Sequence, residues 1–292
     1  TTPIEALETH TLLRPLEVKR SEKFLVHREK ILRMPSHPMH TKIQEPTKNR
    51  IKRSSFNHVS KALKREKLGP LPSSLQDMEQ LQNYVTTEDN LEGINVITEV
   101  PGIKKKNLQS PSSLKSLALD MMDSHYNRHD WTHVYTDGSS EGATKNGEEH
   151  NKAFATGKIS SNFRAEAAAL LQATEALIEL PRQEKVVFFC DCKSLLQALQ
   201  SNSQNELHIS SIREKLQILS RKCCVTLQWI PSHCDIKGNE RADTLSKQGS
   251  SMDQPQHRVS YQEAKTIVKN TFRSQWMASL PENAAHDPYH NL

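Results

Sequence analysis

The chain has 292 residues, a formal charge of +5 and a polar composition, with 35% hydrophobic, 5% aromatic and 25% charged residues. This length allows one or two domains, and the low apolar content predicts a compact part joined to solvated segments. No apolar run approaches the about 20 residues that cross a bilayer, so we expect no membrane partner. The five cysteines fit neither a disulfide framework nor a C-x₂-C zinc pattern, which favours reduced thiols in an intracellular protein.

The N-terminal part of the chain predicts helices and a linker. Residues 1–34 carry apolar side chains at helical spacing, an amphipathic pattern with no evident partner elsewhere in the chain. Residues 35–128 predict a basic linker interrupted by prolines, with one helix over 113–122. Two basic clusters, at 48–53 and 104–106, are either phosphate-contacting or nuclear-localisation patches or, more commonly, solvated linker.

The pattern then changes to strands alternating with helices, which predicts an α/β domain over residues 129–252. The predicted elements are strands at 133–137, 153–159, 186–190 and 225–230, and helices at 162–180, 193–200, 207–221 and 239–248. We expect Asn239 to cap the last of these helices and Gly249 to end it. Residues 253–292 predict a tail with one amphipathic helix over 261–280.

Four carboxylates fall at strand ends or helix starts of this α/β domain. Asp137 ends its first strand, Asp191 directly follows a strand of buried type, and Glu166 lies on the apolar stripe of the next helix. Asp243 lies in the first turns of the last helix. Each position also has an ordinary interpretation as a turn residue, a helix cap or a partner of the helix dipole.

Considered together, the four carboxylates indicate metal chemistry. Like charges within a few ångströms raise each other's pKa, so such a cluster needs compensating cations. Mg²⁺ prefers carboxylate oxygens, and two ions about 4 Å apart can activate a water and stabilise a leaving oxygen in phosphodiester cleavage.

Four sequence blocks surround these carboxylates, and the last block is the most specific. They read YTDGSS, NFRAEAAALLQA, FFCDCKSLLQAL and WIPSHCDIKGNERADTLSKQG. In this order they resemble the blocks of type 1 ribonuclease H over about residues 129–252. The sequences of the blocks most resemble those of the domain in non-LTR (LINE-like) retrotransposon polyproteins of arthropods. The N-terminal stretch TTPIEALE…PLEVKRSEK is similar to the tail of the reverse-transcriptase part of the same polyproteins.

This resemblance implies a fold and an activity. The fold would be α/β, with a mixed five-stranded sheet flanked by helices. The activity would be a metal-dependent endonuclease that cuts the RNA strand of RNA–DNA hybrids. Its partners would be the hybrid and the reverse-transcriptase part of the polyprotein.

The resemblance also implies a role for each residue that matches a family motif. Two Mg²⁺ ions, or Mn²⁺ in their place, would be held by Asp137, Glu166, Asp191 and Asp243. His233, on a loop, would assist proton transfer or product release. The residues at the family's substrate-binding positions are Gly138, Ser139, Asn162, Arg164 and Asn239.

Three features depart from the family pattern. The stretch between Ala143 and Ala153 contains no apolar residue, which predicts a shortened second strand and a weakened sheet beside Asp137. Cys192 stands where a small hydroxyl residue is usual. Asp235 replaces the glycine usual two residues after the histidine, and we expect a stiffer loop with more negative charge. There is also no room for the basic handle helix of some family members, so the substrate must be held elsewhere.

Two other functions remain open at this level. The first is a remnant that keeps the carboxylates but folds poorly or binds nucleic acid without cutting it, which the shortened stretch favours. The second is a transposase or integrase of the same fold, which the final His…Gly-Asn-Glu…Asp block disfavours.

Overall fold

The computed structural model describes most of the chain, in two compact units. One unit lies within Thr1–Leu81 and His257–Leu292, and the other within Gln82–Gln256. The described residues are 14–44, 78–81, 91–138, 140–145, 148–157, 160–180, 184–201 and 207–279. Among them, no helix has the length and apolar character needed to cross a membrane.

The described elements alternate over the second unit as the sequence predicts. The helices are α1 (Leu16–Leu32), α2 (His40–Gln44), α3 (Pro111–His125), α4 (Asn162–Glu179), α5 (Lys193–Gln200), α6 (Leu207–Ser220), α7 (Lys237–Ser250) and α8 (Tyr261–Ser279). A 3₁₀ turn spans Lys106–Leu108. The strands are β1 (Ile94–Ile97), β2 (Thr132–Asp137), β3 (Ser140–Lys145), β4 (Glu148–Ala153), β5 (Lys185–Cys190) and β6 (Cys224–Trp229).

The described strands form one mixed sheet in the order β1-β6-β5-β2-β3-β4. The neighbours from β1 to β2 are parallel, and β3 and β4 are antiparallel additions at the other edge. The central strand β5 is buried on both faces and reads as an apolar run, with Phe188 and Phe189 fully buried. The structure confirms the predicted α/β class of a sheet flanked by helices.

The second strand is not shortened, so this expectation from the sequence was wrong. β3 pairs with β2 from Ser140 to Thr144, and β4 pairs with the whole of β3. The strand predicted over 153–159 lies earlier in the chain, since β4 spans Glu148–Ala153. The lack of apolar residues led to the wrong prediction because strands at the edge of a sheet are held by backbone hydrogen bonds to their neighbours and need no apolar face.

Residues 91–126, which we name the N-terminal extension, are part of the fold and not the linker predicted from the sequence. β1 adds a parallel sixth strand beside β6, and α3 packs with its apolar face in the core of the second unit. The buried side chains of the extension are Ile94, Val100, Leu114, Ala118, Met121, Met122 and Tyr126. The prolines concealed this fold because they fall outside its strand and at the N-terminal position of its helix, where proline is accommodated.

Side-chain hydrogen bonds join the extension to the sheet. The Tyr126 hydroxyl donates to Gln228 Oε1 at 3.0 Å, and Gln228 Nε2 donates to the carbonyl of Glu99 at 2.9 Å. On β2, His133 Nε2 donates to the Tyr126 carbonyl at 2.5 Å. These bonds satisfy polar groups that burial would otherwise leave without partners.

The first unit gives α1 the partner that the sequence did not reveal. α1 packs against α8, with Leu25 of α1 and Val268 of α8 buried. Arg33, which has no exposed surface, donates to the Glu29 carboxylate at 2.7 Å and to the Val259 carbonyl at 3.4 Å. The predicted helix over residues 1–13 and the basic cluster at 48–53 lie outside the described residues.

The last helix of the α/β domain differs at both ends from the prediction. α7 begins at Lys237 with Ile236 as its N-cap, so Asn239 lies inside the helix. Gly249 is also helical, because α7 continues to Ser250. Both residues are buried against the domain, and tertiary packing therefore overrides the local capping preferences.

The packing of α3 predicts that the extension contributes to stability. Leu114 is 4% exposed, and we expect Leu114→Ala to lower the free energy of unfolding by about 2–5 kcal/mol through reduced burial and a residual cavity. Leu119→Ala on the same helix, at a side chain 37% exposed, should cost well under half as much. Urea unfolding of the full chain followed by circular dichroism measures both; equal decreases would contradict the packing described for α3.

Candidate active site

Two carboxylates meet at one edge of the sheet because two parallel strands end side by side. Asp137 is the last residue of β2, and Asp191 directly follows β5. Thr136 pairs with Cys190 in the parallel register, so the two acidic residues leave the sheet on adjacent strands. Neighbouring strands lie about 4.8 Å apart, which brings like charges close together.

Glu166 reaches the same edge from α4. The side chain of Ser161 caps this helix by accepting from the Arg164 backbone N–H at 3.2 Å. Ala169, Leu170 and Ala173 bury the face of α4 that lies on the sheet. Glu166 lies one turn before this apolar stripe, where it accepts from the Gly138 backbone N–H and shares a hydrogen bond with Asp137.

Asp243 is brought in by α7, which packs across β2 and β3. Two close approaches let this helix lie so near the sheet. A methyl group at Gly238 would overlap the ring of Tyr135, and one at Gly138, which has a φ of +48°, would overlap the Ser246 hydroxyl. The glycines of two sequence blocks therefore set the distance between α7 and the end of β2.

An open cleft of about 710 Å³ contains the predicted residues that the structure brings together. Its described lining includes the five residues predicted to be catalytic, Asp137, Glu166, Asp191, His233 and Asp243, and two predicted to bind substrate, Gly138 and Asn162. Cys192 also lines it. The predicted substrate residue Ser139 lies outside the described residues.

Two predicted substrate-binding residues lie elsewhere. Arg164 is not one of the described residues that line the cleft. Asn239 is only 2% exposed, and its Nδ2 donates to Asp191 Oδ2 at 3.3 Å. Asn239 thus orients the Asp191 carboxylate, and its burial leaves it little surface for a substrate.

The electrostatics of the cleft reflect crowded acidic groups. Burial, and then the charges of Asp191 and Asp243, raise the pKa of Asp137 to about 6. Burial, and then Asp137 and Asp191, raise the pKa of Glu166 to about 9. Burial also raises the pKa of Asp191, against the opposing effects of its hydrogen bond from Asn239 and of the nearby His233 and Lys106. Each shift shows that negative charge in this cleft lacks full compensation.

The donor chemistry of this cleft fits divalent cations. All four carboxylates offer hard oxygen ligands, and Glu166 Oε2 is buried with no hydrogen-bond partner. Among the described residues, no three His, Cys, Asp or Glu side chains are arranged as a ready-made metal site. Glu166 and Asp137 are instead joined by a side-chain hydrogen bond.

The loop between β6 and α7 carries His233 in a strained conformation. His233 and Asp235 have φ values of +55° and +62°, in the left-handed region that glycine favours. This conformation explains why a glycine is usual at position 235, and an aspartate is among the residues that tolerate it best. The Asp235 carboxylate is paired with Lys115 of α3, so its charge is compensated by the extension.

Sequence reasoning missed one residue at the mouth of the cleft. Lys106 Nζ donates to the hydroxyl of Ser232, a residue that lines the cleft beside His233. From the sequence alone, the basic cluster at 104–106 falls within the predicted linker. Only the fold of the extension, which the apolar pattern did not reveal, could have placed it here.

A comparison with known families agrees with this architecture. The family model described as RNase H matches residues 129–251, which is less than half of the chain. No curated protein matches the chain. The match supports an RNase H domain in this part of the chain, and the strand ends that carry Asp137 and Asp191 lie within it, as does the loop of His233.

The raised pKa of Glu166 predicts a gain in stability on removing its charge. The protonated side chain favours the folded state below about pH 4.5, and this contribution disappears as the pH rises through about 9. In chelator, Glu166→Gln should therefore be more stable than the natural chain at about pH 8, by at least about 1 kcal/mol, the equivalent of one pKa unit. The difference should vanish at about pH 4.

The matched control for this change is Glu179→Gln on the same helix, at an exposed position. It should leave the stability unchanged at both pH values, because an exposed carboxylate keeps its hydration. Chemical denaturation in chelator measures all three proteins. A Glu166→Gln protein that is less stable than the natural chain at about pH 8 would refute the crowding of carboxylates.

Proposed function

We propose that this protein hydrolyses the RNA strand of RNA–DNA hybrids by a two-metal-ion mechanism. The observation that carries the proposal is the convergence of four carboxylates from β2, α4, β5 and α7 on one open cleft, with His233 at its rim. The match to the RNase H family model over the same residues supports the substrate class.

The carboxylates of the cleft would hold two Mg²⁺ ions, or Mn²⁺ in their place. Asp137, Glu166, Asp191 and Asp243 are the proposed ligands. Bound cations would supply a nucleophilic water at neutral pH and stabilise the charge on the leaving oxygen. They would also offset the mutual repulsion that raises the pKa values of Asp137 and Glu166.

The remaining residues have roles that follow from their positions. Asn239 fixes the orientation of the Asp191 carboxylate through its 3.3 Å hydrogen bond. His233 is exposed on the loop, yet its charge is felt by both Asp137 and Asp191. In the proposed mechanism His233 would give or take a proton at the leaving oxygen, as a general acid–base catalyst does.

The shape of the cleft suits a duplex bound by its backbone. It is open, and its described lining contains Asn162, Gly138 and several hydroxyl groups at its rim. Such groups can contact phosphates and the 2′-hydroxyls of the RNA strand, which line the wide minor groove of A-like duplexes. Because backbone contacts carry no base information, we expect little sequence preference.

The origin and the neighbours of the domain are also proposals. We infer a retrotransposon polyprotein of LINE-like type, in which a reverse-transcriptase part is the partner of this chain. The support is the resemblance of the four sequence blocks and of the N-terminal stretch to such polyproteins. The alternative of a non-cutting remnant rested on a shortened strand, and the pairing of β3 with both β2 and β4 removes that support.

Cleavage of a labelled RNA–DNA hybrid by the full chain in Mg²⁺ tests the proposed activity. We expect Asp137→Asn to lower the rate by about 10³-fold or more, because it removes a proposed metal ligand. Asp120→Asn, at an exposed position of α3, should leave the rate unchanged. A folded natural chain that leaves the hybrid intact would overturn the proposed hydrolase activity.

The role of His233 predicts a kinetic difference that separates chemistry from product release. His233→Ala should lower the cleavage rate by about 10²-fold in a single turnover if the side chain transfers a proton. His129→Ala, at a histidine that is 93% exposed, serves as the matched control. A His233→Ala protein with a normal single-turnover rate but slow steady-state turnover would assign the residue to product release instead.

A further inference from the structure

Three consecutive lysines of the extension, Lys104, Lys105 and Lys106, are exposed, and Lys106 contacts Ser232 of the cleft lining. We name them the lysine triplet. They lie just before α3, and Lys106 begins the 3₁₀ turn Lys106–Leu108. They precede the residues matched by the RNase H family model, so the match assigns them no role.

The segment that presents the lysine triplet is held in place. Val100 is 2% exposed, and its carbonyl accepts from the Ile103 N–H at 3.1 Å. Gly102 has a φ of +82°, and a methyl group there would crowd the side chain of Leu117 on α3. Gln109 Nε2 closes the turn by donating to the Gly102 carbonyl at 2.9 Å. A built turn, in place of a solvated linker, therefore fixes where the lysines emerge.

Lys106 ties this turn to the cleft. Its Nζ donates to the hydroxyl of Ser232, which lines the cleft beside His233. An ammonium group has three donors, and Ser232 takes only one of them. A second tie, between Lys115 and Asp235, joins α3 to the same loop two residues beyond His233. The extension thus borders the loop that carries the proposed catalytic histidine.

We propose that the lysine triplet binds backbone phosphates of the RNA–DNA hybrid next to the cleavage site. This inference rests on the proposed function and adds to it a part of the chain outside the matched domain. Lysines act on phosphates as point charges and need no base contacts, which suits a substrate recognised by its backbone. The sequence between Asp191 and Trp229 leaves no room for an additional basic helix. The lysine triplet would provide the substrate contacts that such a helix makes.

The test is a salt titration of hybrid binding by the full chain, in an Asp137→Asn background so that the hybrid is not consumed. Lys105→Gln/Lys106→Gln is compared with Lys185→Gln/Lys222→Gln, a double change of equal charge at the amino-terminal ends of β5 and β6. Binding is followed by fluorescence anisotropy of a labelled hybrid. Melting temperatures of all variants establish that they fold.

The Lys105→Gln/Lys106→Gln variant, here called the triplet variant, should bind the hybrid up to about fivefold more weakly for each lysine changed, at about 0.1 M salt. The slope of log affinity against log salt should fall by about 0.7–0.9 for each phosphate that a lysine no longer neutralises. The control variant should keep a slope closer to that of the parent chain. Equal slopes and affinities in the two folded variants, or a hybrid that does not bind the parent chain, would overturn the inference.

Kinetics in the natural background separate this inference from the proposed activity. Weaker ground-state binding should raise KM and leave kcat nearly unchanged. A lower kcat with an unchanged salt slope would mean that Lys106 only positions the Ser232 loop, and would overturn phosphate binding. A parent chain that binds but never cleaves, with a reduced slope in the triplet variant, would overturn the hydrolase and leave the inference standing.

Discussion

The repulsion between carboxylates that the sheet forces together is the constraint on which the site depends. Asp137 and Asp191 leave adjacent parallel strands in a fixed register, so neither can move away without breaking backbone pairs of β2 and β5. The apolar core beneath them, with Phe188 and Phe189 fully buried, holds that register. Stability from the core therefore offsets an unfavourable arrangement of charge at the sheet edge, as at many functional sites.

The surrounding elements then act on this pair of charges. α4 adds Glu166, whose raised pKa lets it hold a proton against Asp137, and α7 adds Asp243. The ion pair between Asp243 and Lys247, at 2.6 Å, compensates the carboxylate that α7 contributes. Burial and like charges raise the pKa values of Asp137 and Glu166 most, so the electrostatic deficit is concentrated there, where metal binding would relieve it.

The sequence predicted the strands and helices that apolar periodicity and motifs mark. It did not predict features that depend on strand pairing or on tertiary packing. The buried strands β5 and β6 and the helices α4, α5 and α6 were predicted to within about two residues, because long apolar patterns and family blocks mark them. The β3 strand was undervalued because an edge hairpin is held by the backbone. The burial of Asn239 was missed because only the packing of α7 on the sheet shows which face of the helix it occupies.

The extension shows that a family match and a folding unit need not have the same boundaries. The match begins at residue 129, yet Tyr126 bonds to Gln228 of β6 and Lys115 pairs with Asp235 of the histidine loop. A chain beginning at the match would expose the pairing edge of β6 and would lack Lys106 and Lys115, which contact that loop. Asp235 is a departure within the matched domain, and its compensating charge lies outside it. The residues that complete the site must therefore be sought across the whole compact unit.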